Sequence, residues 1–313
     1  MCSPAYHFFN GALKNMKRLE NCTLCPRSCK VDRTQKAGFC KAGKNPRLAR
    51  AALHFWEEPC ISGSHGSGTV FFSGCNLKCI YCQNYEISQG KIGKEIEISR
   101  LAEIFLELQN QGAHNINLVS PTPYIPQILS AIDSIRDEIK IPFVYNTGGY
   151  ETVETLEMLD GYIDIFLTDI KYKSPVLSKK YSGAEDYFDT ALAAAEKMIE
   201  ICGIPSFDND GIMTSGVIIR HLVLPGCRQD SIDILNEVAQ KLSKDSFVLS
   251  LMSQYTPDTA MLKDFPEICR RVTTFEYNSV VDTAIKLGLD TGYMQSRSSA
   301  QKQYTPPFDL SGI

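Results

Sequence analysis

The chain predicts an α/β fold, a partial, TIM-like (β/α)6 open barrel preceded by a short cysteine-rich N-terminal extension. Short apolar runs of strand length alternate with segments whose apolar residues recur at helical spacing. Strands that alternate with helices imply right-handed βαβ units and a parallel sheet. Six such units are too few for the eightfold closed barrel, so we expect the barrel to remain open.

Six apolar segments have the length of buried strands. They are Thr69–Ser73, Asn115–Ser120, Pro142–Thr147, Ile163–Asp169, Val217–Leu224 and Phe247–Met252. The helices predicted after them are Leu101–Leu108, Ile125–Ile135, Glu151–Leu159, Thr190–Cys202, Ile232–Leu242 and Val280–Leu287, with Asp230 as a plausible cap. In parallel sheets, ligands bind at the carboxyl ends of the strands. Polar residues that end these strands are therefore candidates for a site.

Composition and charge restrict the class of partner. A net charge of −4 gives no electrostatic reason to expect nucleic acid or an anionic membrane. No apolar run approaches the roughly 20 residues that span a bilayer, and the first residues do not resemble a secretory signal. We expect a cytoplasmic protein with an extension over residues 1–60, a barrel over 61–292 and a tail over 293–313. A short helix around Gly11–Leu19 and packing of Tyr304–Phe308 against the body are also expected.

Three cysteines follow the first strand directly, at positions 75, 79 and 82. Thiolate is a soft ligand that suits iron–sulfur clusters. Three thiolates can hold three irons of a [4Fe–4S] cube, which leaves the fourth iron open to a substrate. The alternative is three unrelated buried or zinc-binding cysteines. Clustered cysteines in an intracellular chain favour a metal over disulfides.

A second group, Cys22, Cys25, Cys29 and Cys40, supplies four thiols within a short segment. Such a segment cannot bury a core, so a bound metal would stabilise it. Zinc normally uses two Cys-x2-Cys pairs, and ferredoxins repeat that pair more tightly. Zinc and a second [4Fe–4S] cluster both stay open, as do reduced cysteines with structural roles. The remaining cysteines are interpreted as small buried hydrophobes: Cys2, Cys60, Cys202, Cys227 and Cys269.

The segment between the two cysteine groups carries His54, Glu57 and Glu58. These residues could form a polar group that faces a substrate. The interpretation we favour is a partly buried connecting strand that ends in a solvated acidic pair. The following glycine-rich stretch, Gly63–Gly68, lacks the lysine of a phosphate-binding loop and is predicted to be a flexible turn.

Several motifs together resemble radical S-adenosylmethionine (SAM) enzymes of the pyruvate formate-lyase activating type. The resemblance rests on Phe72–Cys75 with Cys82–Asn84, on Leu167–Lys171, and on Ile219–Gly226, and it covers roughly residues 68–257. The N-terminal cysteines and the 54–58 segment match only the PflX-like subgroup. One motif differs, because activating enzymes usually carry Gly-Gly-Glu after the second strand, where this chain has Ser120-Pro121-Thr122-Pro123. A simple activase assignment is weakened by that difference.

The resemblance implies the chemistry. SAM chelates the open iron, the reduced cluster cleaves its sulfonium, and the resulting 5′-deoxyadenosyl radical removes a hydrogen atom from the substrate. The cofactor performs the hard step, so no acid–base pair is required and no catalytic side chain is named.

The same resemblance assigns roles to residues near the strand ends. Cys75, Cys79 and Cys82 bind the cluster, Tyr81 packs on the adenine, and Asn84 orients the cluster loop or SAM. Ser120 and Thr122 meet the amino group of the SAM methionine, and Asn146 and Thr147 reach the ribose hydroxyls. Asp169 and Lys171 hold the SAM carboxylate or the substrate. The SAM carboxylate is also a candidate partner of Arg220. A structural hydrogen bond is the alternative for each polar residue, and His221 is predicted to be structural.

Three functions remain open. The first is a radical SAM oxidoreductase that modifies a small molecule, a peptide or a protein side chain. The second is an activating enzyme for a glycyl-radical enzyme, and the third is a non-catalytic iron–sulfur or zinc module. The first two imply anaerobic conditions and an electron donor such as flavodoxin or ferredoxin.

Overall fold

The computed structural model describes residues 16–259, 261–295 and 305–313. The predicted helix around Gly11–Leu19 lies mostly outside these ranges, and Cys2 and Tyr304 lie outside them entirely. Within them, one sheet organises the fold. Its strands are β1 (Arg47–His54), β2 (Ser67–Phe72), β3 (Lys94–Glu95), β4 (Ile116–Val119), β5 (Phe143–Thr147), β6 (Ile165–Asp169), β7 (Ser206–Phe207), β8 (Met213–Leu222), β9 (Val248–Met252) and β10 (Gly292–Met294).

The strand order is β10-β9-β8-β6-β5-β4-β2-β1-β3, and β7 pairs separately with β8. The path from β2 to β10 is parallel throughout. Every residue of β2, β4 and β5 is buried, as expected for strands that are covered on both faces. The predicted α/β class, the open parallel sheet and its six strands are confirmed. The strand β10 adds a seventh parallel strand, and β8 begins four residues before the predicted Val217 because its first residues pair with β7.

Helices cover the sheet between successive strands. They are α1 (Pro59–Ser62), α2 (Tyr85–Ser88), α3 (Ile98–Asn110), α4 (Ile125–Ile135), α5 (Val153–Leu156), α6 (Pro175–Ser182), α7 (Tyr187–Cys202), α8 (Arg228–Lys241) and α9 (Thr274–Lys286). Buried apolar residues of these helices and of the sheet form one large core cluster. In the part of the chain that the structure covers, no helix has the length and apolar composition that crossing a membrane requires.

Several helix predictions were wrong in detail, and α9 begins at Thr274 rather than at the predicted Val280. The third predicted helix divides into α5 and a 3₁₀ turn at Glu157–Leu159. Asp230 does not cap α8, because Cys227 holds that position. The Asp230 carboxylate instead accepts hydrogen bonds from the backbone N–H groups of Lys173 and Ser174, at 3.1 and 2.7 Å. It therefore ties the start of α8 to the loop after β6.

The strand β1 was only partly anticipated, and it lies antiparallel to β2 as an added edge of the sheet. The end of the chain packs against it. The backbone N–H of Ala51 donates to Ser311 O at 2.9 Å, and that of Leu310 donates to Ala49 O at 3.1 Å. The Phe308 ring meets the Phe71 ring edge to face. The predicted return of the tail to the body is confirmed for Phe308.

The start of α9 offers a stability prediction. Glu276 accepts from the Gly226 N–H at 2.7 Å and from Arg270 at 2.7 Å, and it completes a capping box with Thr273. The hydrogen bond from Arg270 holds the pKa of Glu276 well below its usual range, although burial by itself would raise this pKa. We expect Glu276→Gln to lower the free energy of unfolding by about 1 kcal/mol at pH 7.

That contribution should exist above the ordinary glutamate pKa and disappear as the pH falls through the lowered folded-state pKa. Denaturant titration at pH 7 and pH 3 measures it. The control is Glu200→Gln, which removes an exposed i,i+3 pair with Lys197 and should have little effect. An equal loss for both variants, or a loss from E276Q that is unchanged at pH 3, would contradict the prediction.

Candidate functional site

A short loop after β2 carries the three-cysteine motif. It begins at Gly74, whose backbone is in a left-handed conformation with φ of 101°. A Cβ at this position would overlap the carbonyl oxygen of Cys40, so glycine is required by close packing. Backbone hydrogen bonds hold the loop, from Gly74 N to Ile87 O at 2.7 Å and from Ile80 N to Tyr181 O at 2.9 Å.

The three thiols of this loop lie close to one another. Cys79 and Cys82 line the same cavity, and mutual repulsion with these two contributes to the pKa of Cys75. Burial is the main reason that the pKa of Cys75 is raised and that the pKa of Cys82 rises to about 11. The Ser182 hydroxyl donates to Cys79 Sγ at 3.0 Å. Grouped, partly buried thiols of this kind fit a metal centre that takes them as thiolates.

The cavity in front of these cysteines has a volume of about 210 Å³. It lies at the carboxyl ends of β5, β6 and β8, where a parallel sheet is expected to bind ligands. Many of its lining side chains are polar or charged. These are Glu57, Gln83, Asn84, Asn146, Asp169, Lys171, Arg220 and Gln254.

Arg220 is the centre of a hydrogen-bond network in the cavity. Its Nε donates to Asp169 Oδ1 at 2.8 Å, and one Nη donates to Asn146 Oδ1 at 2.7 Å. The other Nη lies 3.3 Å from Glu57 Oε2. The side chains of Arg220 and Glu57 are each only 13% exposed, so this is a buried ion-pair network. Arg220 therefore finds its anionic partners inside the protein.

Lys171 extends the network toward the cysteines. Its ammonium group contacts Asp169 directly. Burial disfavours the charged form of Asp169 and of Lys171. The positive charges of Arg220 and Lys171 have the larger effect on Asp169, and they hold its pKa below the usual value. Asp169 and the Cys79 sulfur likewise raise the pKa of Lys171 despite burial. A cation is thus maintained beside Cys79, where thiolates would need a counter-charge.

Glu57 and Glu58 were expected to be solvated, and that interpretation was wrong. Glu57 Oε1 accepts from Asn117 at 3.2 Å and from Asn146 at 3.1 Å, while Glu58 is 8% exposed. Burial raises the pKa of both carboxyls. The only signal in the sequence was an acidic pair directly after an apolar strand. Gln83 and Gln254 also line the cavity without having been singled out.

Six of the nine residues predicted to bind the cofactor line the cavity: Tyr81, Asn84, Asn146, Asp169, Lys171 and Arg220. Ser120, Thr122 and Thr147 are not among its lining residues. The hydroxyls of Thr122 and Thr147 both donate to Glu151. Successive side chains of a strand point to opposite faces, so Asn146 and Thr147 cannot both face one cavity. Ser120 has a left-handed backbone, and its N–H donates to Asn146 O at 2.9 Å.

Two other predicted residues have well-defined environments. The Tyr81 hydroxyl lies 2.6 Å from the Tyr172 hydroxyl, and its ring packs edge to face on Tyr172 and Tyr255. His221 is buried, with its two ring nitrogens 2.7 Å from Ile170 O and 2.8 Å from Ser231 Oγ. Burial lowers the pKa of His221 to about 4, so it is neutral and structural, as predicted.

The N-terminal cysteines also meet at one place. Cys22, Cys25, Cys29 and Cys40 all line a second, small cavity together with Arg33 and Thr122. The isolated cysteines that the structure describes, Cys60, Cys202, Cys227 and Cys269, are free thiols, buried or half-buried.

Glu151 is bonded to Thr122, which lines the second cavity, and it provides a pH-dependent prediction. It is 1% exposed, and its Oε2 has no hydrogen-bond partner in the described part of the chain. Burial raises the pKa of Glu151 to about 7, although Thr122 and Thr147 donate to it. The neutral acid is therefore favoured in the folded state. The stability that the neutral Glu151 contributes should be fully present below the ordinary glutamate pKa and should be lost as the pH rises through 7.

Relative to Glu151→Gln, the wild-type free energy of unfolding should fall on the order of 3 kcal/mol between pH 4.5 and 8. Denaturant titrations across this range measure the difference. Parallel pH profiles for the two proteins would show that Glu151 titrates normally.

The comparisons with known proteins agree with this geometry. The family model described as the Radical SAM superfamily matches residues 69–226, which is half of the chain. This chain belongs to the radical SAM superfamily. The match begins in β2 and includes the three-cysteine loop, Asp169, Lys171 and Arg220, whereas Glu57 and the N-terminal cysteines precede it.

Two relatives come from Methanocaldococcus jannaschii. The chain is 32% identical to uncharacterized protein MJ0674, over 88% of this chain and 77% of the relative. It is 23% identical to uncharacterized protein MJ0808, over 85% and 79% respectively. Neither name states an activity.

Two solved structures are also similar to parts of this chain. Streptococcus suis SuiB bound to S-adenosylmethionine is 14% identical, with a TM-score of 0.48, over 71% of this chain and 48% of SuiB. The FeFe-hydrogenase maturase HydG from Carboxydothermus hydrogenoformans is 14% identical, with a TM-score of 0.49, over 76% and 56% respectively. The chain thus spans about half the length of these two proteins.

Proposed function

We propose that the protein is a radical SAM enzyme that cleaves S-adenosylmethionine reductively and abstracts hydrogen from a peptide, protein or small-molecule substrate. The observation that carries this proposal is the shared cavity: Cys79 and Cys82 open onto the same space as Asn146, Asp169 and Lys171. Superfamily membership implies a [4Fe–4S] cluster and SAM, and the donor set fits both.

The chain's own residues have defined tasks in this proposal. Cys75, Cys79 and Cys82 would hold the cluster, which when reduced supplies the electron that cleaves SAM to methionine and a 5′-deoxyadenosyl radical. Lys171 offsets the negative charge of the thiolates and can meet the SAM carboxylate. Asn84 and Asn146 offer amide donors and acceptors to the methionine and ribose groups. Arg220, already bonded to Asp169 and Glu57, shapes the wall of the cavity.

Two substrate classes remain within the proposal. We favour a small molecule, a peptide or a protein side chain, because the chain lacks the Gly-Gly-Glu run typical of activating enzymes. At that place the Thr122 hydroxyl bonds to Glu151 instead of lining the cavity. The alternative is an activating enzyme for a glycyl-radical enzyme, of the PflX-like subgroup, which the motifs of β2, β6 and β8 favour. A non-catalytic iron–sulfur or zinc module is the third reading, and SAM cleavage would exclude it.

The proposal extends to the protein's setting. It includes a second metal centre, iron–sulfur or zinc, at Cys22, Cys25, Cys29 and Cys40. An electron donor such as flavodoxin or ferredoxin, a cytoplasmic location and anaerobic conditions follow from the need to keep clusters reduced. Neither a nucleic acid nor a membrane is part of it.

The test is anaerobic reconstitution with iron and sulfide, reduction with dithionite, and measurement of 5′-deoxyadenosine from SAM. We expect slow SAM cleavage by the protein alone, accelerated by the true substrate. Turnover with a peptide or metabolite in the absence of a partner protein favours the first class. A glycyl-radical signal that appears only on an added partner enzyme favours the alternative. Absence of 5′-deoxyadenosine from cluster-loaded protein would overturn the proposal.

A further inference from the structure

The N-terminal segment brings four thiols to one small cavity outside the part of the chain that the family model matches. Cys22 and Cys40 are almost fully buried, and Cys25 and Cys29 are half-buried. A Cβ placed on Gly38 would lie 3.6 Å from both Cys29 Sγ and Cys40 Sγ. The four sulfurs therefore surround one space, although their residues span a loop with few regular elements.

The backbone around these cysteines is arranged toward the sulfurs. N–H groups of Val31 and Phe39 are directed at Cys29, and that of Ala42 is directed at Cys40. Backbone N–H groups directed at ligand sulfurs are among the features that set the reduction potential of an iron–sulfur cluster. Three non-glycine residues that flank these cysteines have left-handed backbones: Ser28, Lys30 and Lys41. Conformations of this kind persist where the surroundings demand them, commonly at ligand-binding turns.

Arg33 provides an independent indication of a ligand. It is 1% exposed, and its guanidinium donates to the carbonyls of Gly43 and Pro123 at 2.7 and 2.5 Å. Its Nη1 also lies 3.9 Å from Cys22 Sγ. Among the residues described, no carboxylate pairs with it. Carbonyl oxygens and the Tyr124 ring surround this cation without neutralising it, and four thiolates on a metal centre would supply the negative charge that offsets it.

We propose that Cys22, Cys25, Cys29 and Cys40 hold a second [4Fe–4S] cluster that passes electrons to the cluster at Cys75, Cys79 and Cys82. Zinc has no redox chemistry, so it could not serve a relay. A cubane held by four thiolates accepts and passes on one electron, which suits a site whose backbone adjoins the first cysteine group.

The backbone of the second cysteine group packs against the loop that carries the first group. The Cys40 carbonyl packs against Gly74, the residue before Cys75. Arg27 donates to Asn76 O at 2.9 Å and to Ser182 O at 3.2 Å, and Ser182 in turn bonds to Cys79 Sγ. The N-terminal segment is thus fastened to the loop that holds the first cluster.

The proposed electron path runs from the second cluster to the first across this contact. That the electron is then used to cleave SAM rests on the proposed function. An external low-potential one-electron donor, of the ferredoxin or flavodoxin class, reduces the second cluster by one electron. That cluster returns to its oxidised state as it transfers the electron to the first cluster. One electron enters and one electron leaves for each SAM that is cleaved, and no proton is exchanged by the second site.

Metal analysis of reconstituted protein tests the cluster itself. We expect about eight irons and eight sulfides per chain, about four after Cys22→Ser with Cys25→Ser, and about four in the triple variant C75A/C79A/C82A. Four irons with one zinc in wild-type protein would overturn the proposal. The triple variant cannot cleave SAM, so its four irons report on the second site whether or not the proposed function holds.

Spectroscopy of the full chain tests the relay. Two reduced clusters held on adjoining loops should broaden each other's electron paramagnetic resonance signals, and each cysteine variant should restore a single unbroadened signal. Arg33→Met removes the buried positive charge, so the midpoint potential of the second cluster should shift to more negative values with the iron content retained. Lys36→Met, at an exposed position of the same segment, should leave the potential unchanged. Two unbroadened signals in wild-type protein, or no shift in R33M, would overturn the relay.

Discussion

Replacing Cys82 with Ala should reduce 5′-deoxyadenosine formation below detection while leaving the fold intact. Three thiolates are required to hold a cubane that keeps one iron open, and Cys82 lines the cavity where SAM would bind. The substitution removes a ligand, and its small side chain fits a half-buried site without strain. The measurement is SAM turnover per chain after anaerobic reconstitution, together with iron content and circular dichroism.

The matched control is Cys202→Ser. Cys202 is also half-buried, and its thiol donates to Ile163 O at 3.6 Å, a bond that serine can replace. This variant should retain its iron and at least half of the wild-type SAM turnover. Equal activity of C82A and wild-type protein would show that the three-cysteine loop is not the cluster site.

Replacing Arg220 with Met should destabilise the protein by about 3 kcal/mol, because one partner of a buried ion-pair network is removed. The remaining carboxylates of Asp169 and Glu57 would then lie in the cavity without their shared cation. Lys171 still neutralises Asp169, so the loss should fall at the lower end of the range for broken buried pairs. Denaturant titration of reconstituted protein measures the change in the free energy of unfolding.

A second substitution makes this prediction specific. Glu57→Gln in the R220M background removes the carboxylate that lost its partner, so the double variant should recover at least about 1 kcal/mol of stability. Arg50→Met is the control, because Arg50 pairs with the half-exposed Asp309 and should cost at most about 1 kcal/mol. Strictly additive losses in R220M and E57Q would show that the two residues do not interact.

Much of the site could be predicted where its signals are local in the sequence. The cysteines at 75, 79 and 82 lie within one loop, so their spacing alone indicates a shared ligand. Asp169, Lys171 and Asn146 were found because they end apolar strands, and parallel strands place their carboxyl ends at one edge. The start of α9 was predicted too late in the chain, since its capping box at Thr273 and Glu276 precedes the apolar residues that indicate the helix.

Other features depend on contacts between distant segments. Glu57 was predicted to be solvent-exposed because acidic residues normally are. In the structure, the ion pair with Arg220, 163 residues later in the chain, offsets the free-energy cost of burying the carboxylate. The composition of a strand also could not show which of its alternating side chains face the cavity. Asn146 faces the cavity, whereas its neighbour Thr147 bonds to Glu151 on the other side.

By itself, the sequence determined the α/β class, the order of the parallel strands along the chain and the three-cysteine loop, because periodicity and ligand spacing are local properties. Only the tertiary structure decided which polar side chains share the cavity, since that depends on strand phase and on buried charge pairs. It also brought the four N-terminal cysteines and Arg33 to one cavity and placed the Cys40 carbonyl against Gly74. A buried cation and a close backbone contact are results of packing, and no local pattern encodes them.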